Sequence, residues 1–313
     1  MNLNSLVIPE IFMVAKNAYK KNENVTSALK NYLQESYNTP EIIALAYDLQ
    51  AGTYTSDAIE NKVFYRDRAI ELAMFASPYL DDIESVLDLG SGEISMFSRL
   101  LATINSQKIR KAYASDISWS RLHIGIEATR DIVPKNNNLT VFVSDMAKIP
   151  LPSKSIDLTF TDHSIEPNGS RLEEIITEIF RCTSRICIFT EPCTELASTE
   201  AIERMKKLGY IFDLEKVIKK LGGEILDSKD IVNDYNNSLN PARVLAVRPP
   251  SVESINSIKS PESFYTFPGT DYKMQLIDEC LTCDEMGVIF PIIKNIPILL
   301  EDKLIIASKF NSK

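Results

Sequence analysis

The segment Asp88-Leu89-Gly90-Ser91-Gly92 joins a short apolar run to an apolar pattern at helical spacing. A strand, a glycine turn and a helix in this order place backbone N–H groups at the carboxyl end of the strand, where parallel α/β sheets bind ligands. Two glycines of a dinucleotide-binding fingerprint are present, but Ser95 stands where the third is expected. A ligand without a pyrophosphate relaxes the need for that third glycine.

Acidic residues also end the next two apolar runs. Asp116 follows 112–115 at the distance from the turn at which α/β folds bind a ribose, although it could also cap the helix predicted from Ser118. Asp145, with Met146, follows 140–143. Three acids at neighbouring strand ends indicate a site more specifically than a lone Gly-x-Gly does.

At these positions the chain resembles the class I S-adenosylmethionine-dependent methyltransferases, and the resemblance covers roughly residues 80–192. It implies that S-adenosylmethionine is the cofactor, with its amino-acid part against the glycine turn, its ribose at Asp116, and its adenine between Asp145 and Met146. The cofactor-binding residues implied in this way are Asp88, Gly90, Ser91, Gly92, Asp116, Ile117, Asp145, Met146 and Asp162.

The fourth predicted strand runs into Asp162-His163-Ser164-Ile165-Glu166, at the edge where the transferred methyl group should point. His163 is our candidate general base for a hydroxyl acceptor, because its ordinary pKa suits proton removal near neutral pH. Glu166 is the alternative base or a carboxylate that orients the acceptor. A packing role for His163 and a capping role for Glu166 are the structural alternatives.

Acceptor contacts are predicted from the elements around this edge. Tyr47, Gln50 and Tyr54 lie in a break between N-terminal helical patterns that suits a lid. Glu191 ends the fifth strand, and Asn240 and Arg243 precede or begin the last one. Aromatic residues at such spacing also occur in ordinary cores.

The predicted fold is α/β, a Rossmann-like doubly wound sheet of seven strands in the methyltransferase manner. We divide the chain into an N-terminal helical lid at 1–80, the S-adenosylmethionine-binding domain at 81–250, and a linker with a small β-rich appendage at 251–313. The last two strands of the domain, near 224–226 and 243–247, lie close together in sequence and are predicted to form an antiparallel pair at one edge.

The composition of the chain limits the classes of partner that we expect the protein to bind. A formal net charge of −9 and a pI near 5.0 disfavour nucleic acid, and no apolar run is long enough to predict a membrane span. Five cysteines form no even framework and favour a cytoplasmic location, while Cys280 and Cys283 lack a second pair of zinc ligands, so no metal is predicted.

The function predicted is methyl transfer to an oxygen or nitrogen of a small-molecule or saccharide-like acceptor. A catalytically silent cofactor-binding scaffold and an NAD-dependent dehydrogenase remain as alternatives, and a homo-oligomer remains open. The dehydrogenase leaves Asp145 without a role and lacks the third glycine.

Overall fold

The computed structural model describes residues 8–231, 238–251 and 264–310. The helices of these residues are α1 Ile8–Lys20, α2 Val25–Leu33, α3 Pro40–Asp48, α4 Thr53–Glu60, α5 Lys62–Ala76, α6 Ser95–Ile104, α7 Trp119–Thr129, α8 Leu172–Cys182, α9 Thr199–Leu208 and α10 Leu214–Lys220. The strands are β1 Ser85–Leu89, β2 Lys111–Asp116, β3 Asn138–Ser144, β4 Ile156–Asp162, β5 Thr183–Pro192, β6 Glu224–Ile231, β7 Ala242–Arg248, β8 Gln275–Ile277, β9 Cys280–Cys283, β10 Val288–Ile293, β11 Ile296–Leu299 and β12 Ile305–Ile306.

Strands β1 to β5 form the parallel centre of the sheet, in the order β5-β4-β1-β2-β3. Every residue of β1 is buried, because apolar side chains pack against both faces of the sheet. This burial accounts for the short continuous apolar runs in the sequence. The predicted α/β fold is confirmed.

One edge of the sheet is antiparallel, as predicted. Strand β7 runs antiparallel to β5, and β6 runs antiparallel to β7, so the edge reads β6-β7-β5. The predicted strands at 224–226 and 243–247 lie within β6 and β7.

The sheet extends beyond the seven strands that we predicted. Strand β11 adds in parallel to β3 through Ile298 opposite Val143 and Leu299 opposite Ser144, and β10, β9 and β8 follow it. Phe290 of β10 belongs to the same buried cluster as Leu87 and Phe142 of the central strands. The C-terminal strands therefore cover the β3 edge, which would otherwise expose unpaired backbone groups. Most of the linker predicted after residue 250 lies outside the described residues.

The N-terminal segment is helical throughout its described part, as predicted. Helices α1 to α3 share a small core of their own around Leu29 and Ile42, while α5 packs through Leu72 and Ala76 into the core of the sheet. No helix of the described residues is long and apolar enough to cross a membrane.

Candidate active site

A cavity of about 450 Å³ opens at the carboxyl ends of the parallel strands. Its floor comes from the segments that follow β1, β2, β3 and β4, and one side is closed by α3, α4 and α5. This volume lies within the range of small-molecule sites, and the position is where open α/β sheets bind ligands.

The glycine turn after β1 requires glycine at both positions. Gly90 has φ +72°, and a Cβ there would lie 2.4 Å from Cβ of Ser164. Gly92 has φ +55°, and a Cβ there would lie 2.5 Å from Nη2 of Arg121. Both glycines line the cavity, and their missing side chains make room for the chain after β4 and for an α7 arginine, which lie directly against the turn.

Asp88, in β1, is a buried carboxyl group facing this turn. Ser91 donates a side-chain hydrogen bond to it, so the acid orders the loop. Burial, together with the nearby carboxylates of Asp162 and Asp116, raises the pKa of Asp88 to about 7. Three carboxyl groups, those of Asp88, Asp116 and Asp162, therefore lie close together in the site.

Asp116, at the end of β2, links two loops. One carboxylate oxygen accepts from the backbone N–H of Gly92 at 2.9 Å, and the other accepts from that of Ser118 at 2.8 Å. Ser118, and not Asp116, is the N-cap of α7, since its side chain accepts from the N–H of Arg121. Asp116 is thus held at the cavity floor beside the glycine turn.

Asp145, after β3, is held by an arginine. Arg171 donates to both of its carboxylate oxygens, at 2.7 and 3.2 Å, and one of these oxygens also accepts from the N–H of Ala147. Such a bidentate pair is geometrically specific and charge-assisted. The Asp145 carboxylate is thereby engaged within the protein, although Asp145 and Met146 both line the cavity.

His163 and Glu166 form a pair beside the turn. Nδ1 of His163 lies 3.1 Å from Oε2 of Glu166, which also accepts from Nδ2 of Asn240 at 3.1 Å. His163 has φ +52°, a left-handed conformation that is strained for a residue with a side chain. Burial, and then the Glu166 carboxylate, raise the pKa of the neighbouring Tyr210. Three elements distant in sequence thus converge on one carboxylate.

Glu191, at the end of β5, lies behind this pair. It is 1% exposed, and one oxygen accepts from the N–H groups of Ser164 and Ile165, both at 3.2 Å. Burial raises its pKa to about 7. Glu191 therefore supports the turn that carries His163 from beneath.

The N-terminal helices are attached to the glycine loop by Glu93. This carboxylate is 1% exposed and accepts from the backbone N–H groups of Gly52 at 2.9 Å and Thr55 at 2.7 Å, at the start of α4. The guanidinium of Arg121 lies over the rings of Tyr47 and Tyr54, 5.2 and 4.5 Å from their centroids. Tyr47 and Tyr54, which we predicted as lid residues, thus line the cavity and hold Arg121 through cation–π contacts.

The strand order decides the fold among nucleotide-binding sheets. A dinucleotide-binding sheet adds its sixth strand beside the fifth, whereas here the antiparallel β7 lies between β5 and β6. The chain has the class I methyltransferase fold.

Solved methyltransferase structures with this fold are similar to the chain. Magnesium protoporphyrin IX methyltransferase from Synechocystis PCC 6803, with bound SAH, is 15% identical, covering 60% of this chain and 84% of that one, with a TM-score of 0.47. A putative sarcosine dimethylglycine methyltransferase from Galdieria sulphuraria is 13% identical, covering 58% and 85%, with a TM-score of 0.46. No family model and no curated protein matches the sequence.

Most of the residues predicted for the site line the cavity of this methyltransferase fold. Those that do are Tyr47, Tyr54, Asp88, Gly90, Ser91, Gly92, Asp116, Ile117, Asp145, Met146, Asp162, His163, Glu166 and Asn240.

Three predicted acceptor residues do not line it. Arg243 is paired instead with Asp230 and Glu215, at 2.7 Å each. Glu191 is buried beneath the His163 turn, and Gln50 is part of the turn between α3 and α4, where its carbonyl accepts from Thr53. Proximity to the strand ends in sequence did not distinguish side chains that enter the cavity from those that turn away.

Other cavity residues were missed by sequence reasoning. Glu93 follows the glycine turn directly, and its neighbours did not mark it as a contact to α4. Arg68, Arg121 and Tyr210 come from helices or loops without a motif. The one sequence signal that could have indicated such residues is an arginine or tyrosine on the predicted buried face of a helix, because these side chains are less often buried than apolar ones. In the described residues, no group of three or more His, Cys, Asp or Glu side chains could hold a metal ion.

Proposed function

We propose that this protein transfers the methyl group of S-adenosylmethionine to an oxygen or nitrogen of a small-molecule or saccharide-like acceptor. One observation carries the proposal: the glycine turn, the strand-end acids and the His163–Glu166 pair line one cavity of the class I methyltransferase fold. When bound, the cofactor would supply a methyl group activated by the positive charge of its sulfonium.

The residues present fit this cofactor. Gly90 and Gly92 line the cavity, so its amino-acid part would lie against backbone there, and Asp88 and Asp162 lie at the same end to face an ammonium group. Asp116 lies by the turn, one strand further along, where a ribose would follow. At the adenine end Met146 supplies an apolar wall, whereas Asp145 would have to share its carboxylate with Arg171 to accept from the adenine amine.

His163 is the base that we assign for a hydroxyl acceptor. Because Glu166 is an acceptor when ionised, the contact at Nδ1 favours the tautomer protonated at that nitrogen, which leaves Nε2 to take a proton. Glu166 then acts as the orienting group, not as the base. Asn240 donates to the same carboxylate and holds it in place.

The remaining task of the protein is to align the two substrates and exclude water. Pro40, Ile43 and Tyr47 of α3 and Tyr54 of α4 close the cavity on the side opposite the sheet. The net charge of −9 supports a small acceptor over nucleic acid.

Calorimetric titration with S-adenosylhomocysteine, with NAD as the control ligand, tests the cofactor. We expect micromolar binding of S-adenosylhomocysteine and none of NAD. Binding of NAD alone would favour a dehydrogenase. Binding of neither, with the protein shown to be folded by circular dichroism, would count against an adenosyl cofactor and favour a scaffold role.

A further inference from the structure

Arg68, on α5, is a buried cation whose end groups make no hydrogen bond. The residue is 4% exposed, yet neither Nη1 nor Nη2 has a hydrogen-bond partner. Its nearest carboxylate oxygens are Oε2 of Glu71 at 3.6 Å and Oδ1 of Asp162 at 3.5 Å. These contacts are ion pairs and are too long for hydrogen bonds. Buried guanidinium donors are expensive to leave unsatisfied, so the group is suited to an anionic acceptor.

The guanidinium lines the cavity at the end where β1 and β4 lie side by side. Asp88 belongs to β1, and Asp162, the ion-pair partner of Arg68, ends β4. The carboxyl groups of Asp88 and Asp162 thus lie around the same part of the cavity as the Arg68 guanidinium, whose Nη1 and Nη2 make no hydrogen bond. This arrangement is complementary to a zwitterion, in which an ammonium group and a carboxylate are attached to one carbon.

The other arginines that line the cavity are engaged with other groups, and one of them, Arg204, donates to the carbonyl oxygen of Leu239 and lies over the ring of Tyr210. Arg171 holds Asp145 beyond the end of β3, and Arg121 lies over Tyr47 and Tyr54 near Asp116. The strands follow the order β3-β2-β1-β4, so Arg171, Arg121 and Arg68 lie in that order along the cavity. Arg171 is at the end proposed for the adenine, Arg121 is near the proposed ribose position, and Arg68 is at the end proposed for the amino-acid part.

We propose that Arg68 binds the α-carboxylate of the cofactor's amino-acid end while Asp88 and Asp162 face its ammonium group. This inference rests on the proposed function, because it assumes an adenosyl cofactor in the cavity. A carboxylate on the acceptor is the other source of the same chemistry. The two sources differ in whether Arg68 affects binding of the cofactor alone.

The test compares two ligands on three proteins by calorimetry. The ligands are S-adenosylhomocysteine and its analogue that lacks only the carboxylate. The proteins are the wild type, Arg68→Gln and the control Arg99→Gln. Arg99 is a partly buried arginine on α6 that donates to backbone carbonyls and does not line the cavity. Thermal unfolding verifies that each variant is folded, and Arg68→Lys serves as the conservative variant.

We expect Arg68→Gln to weaken S-adenosylhomocysteine binding about 10- to 100-fold, the effect of hydrogen bonds to a charged group. The analogue should bind the wild type and Arg68→Gln equally, because the group that Arg68 recognises is already missing. Arg68→Lys should recover part of the loss, and Arg99→Gln should lose nothing.

Other results overturn the inference in distinguishable ways. Unchanged S-adenosylhomocysteine affinity in Arg68→Gln would assign Arg68 to the acceptor, and an equal loss for both ligands would make its role structural. If no arginine variant folds, the wild type still decides, since equal affinity for the two ligands excludes carboxylate recognition. A folded wild type that binds neither ligand refutes the proposed function itself, and the inference falls with it.

Discussion

Glu93 should hold the N-terminal helices onto the glycine loop, and Glu93→Gln tests this. In the wild type one oxygen accepts from Gly52 and the other from Thr55, so both sides of the carboxylate are used at the start of α4. Helix α4 has no side-chain cap of its own, since Gly52 is its N-cap residue. A glutamine supplies one acceptor and turns an NH₂ group toward the other backbone N–H.

The expected loss follows from these contacts. Losing one hydrogen bond to a charged group costs about 1.5–3 kcal/mol, and the negative charge at the helix N-terminus contributes about 0.3–1 kcal/mol more. Of the residues in α4, only Ala58 is buried, so little packing resists local opening. A loss of about 2–3 kcal/mol should therefore appear as opening of α4, with exchange of its amide hydrogens about 30- to 150-fold faster.

Hydrogen exchange followed by mass spectrometry measures this, with peptides covering α4 compared with peptides covering β1 and β4. The matched control is Glu60→Gln, the same chemical change at the exposed end of the same helix, which should leave exchange unchanged. Unaltered protection of α4 in Glu93→Gln would refute the reasoning. So would an equal loss over the sheet peptides, because the effect would then be global.

Three further predictions concern the site and its supports. His163→Gln should lower kcat about 10²- to 10⁴-fold with an unchanged Kd for S-adenosylhomocysteine, and full activity would exclude His163 as the base. Burial raises the pKa of Glu191 to about 7, so the folded protein binds this proton more tightly than the unfolded chain, and the resulting stability is lost as the pH rises from about 5 to 8. In urea denaturation, the free energy of unfolding of Glu191→Gln should rise relative to that of the wild type by up to about 3 kcal/mol over this pH interval. A difference between the two proteins that does not change with pH would contradict the prediction. Gly125→Ala should destabilise the protein by about 1–2 kcal/mol in the same assay despite the better helix propensity of alanine, because its Cβ would lie 2.5 Å from the backbone of Glu93; a gain in stability would show that α7 can shift.

Local patterns in the sequence were sufficient for the central fold. The apolar runs at β1 to β5 are continuous because both faces of a parallel sheet are buried, and each ends at a glycine turn or an acid that interrupts the pattern. The antiparallel edge was also predictable, since too few residues lie between β6 and β7 for a crossover helix. The joining of β11 to β3 was not predictable, because 154 residues lie between Val143 and its partner Ile298 and no local pattern records strand pairing over that distance.

The sequence by itself determined the strand–turn–helix unit at Gly90–Gly92 and the acids at the ends of β1 to β4, because backbone conformation and periodicity are local properties. Only the tertiary structure decided which side chains enter the cavity. Glu191 was predicted to contact the acceptor but lies buried beneath the His163 turn, and Arg243 pairs with acids outside the cavity. Arg68 enters the cavity from a helix without a motif, and Glu93, directly after the glycine turn, gave no sign of its contact with α4. The reason is physical: a carboxylate or guanidinium is directed by the charges and N–H groups that the fold brings within about 3 Å, and these come from residues distant in sequence.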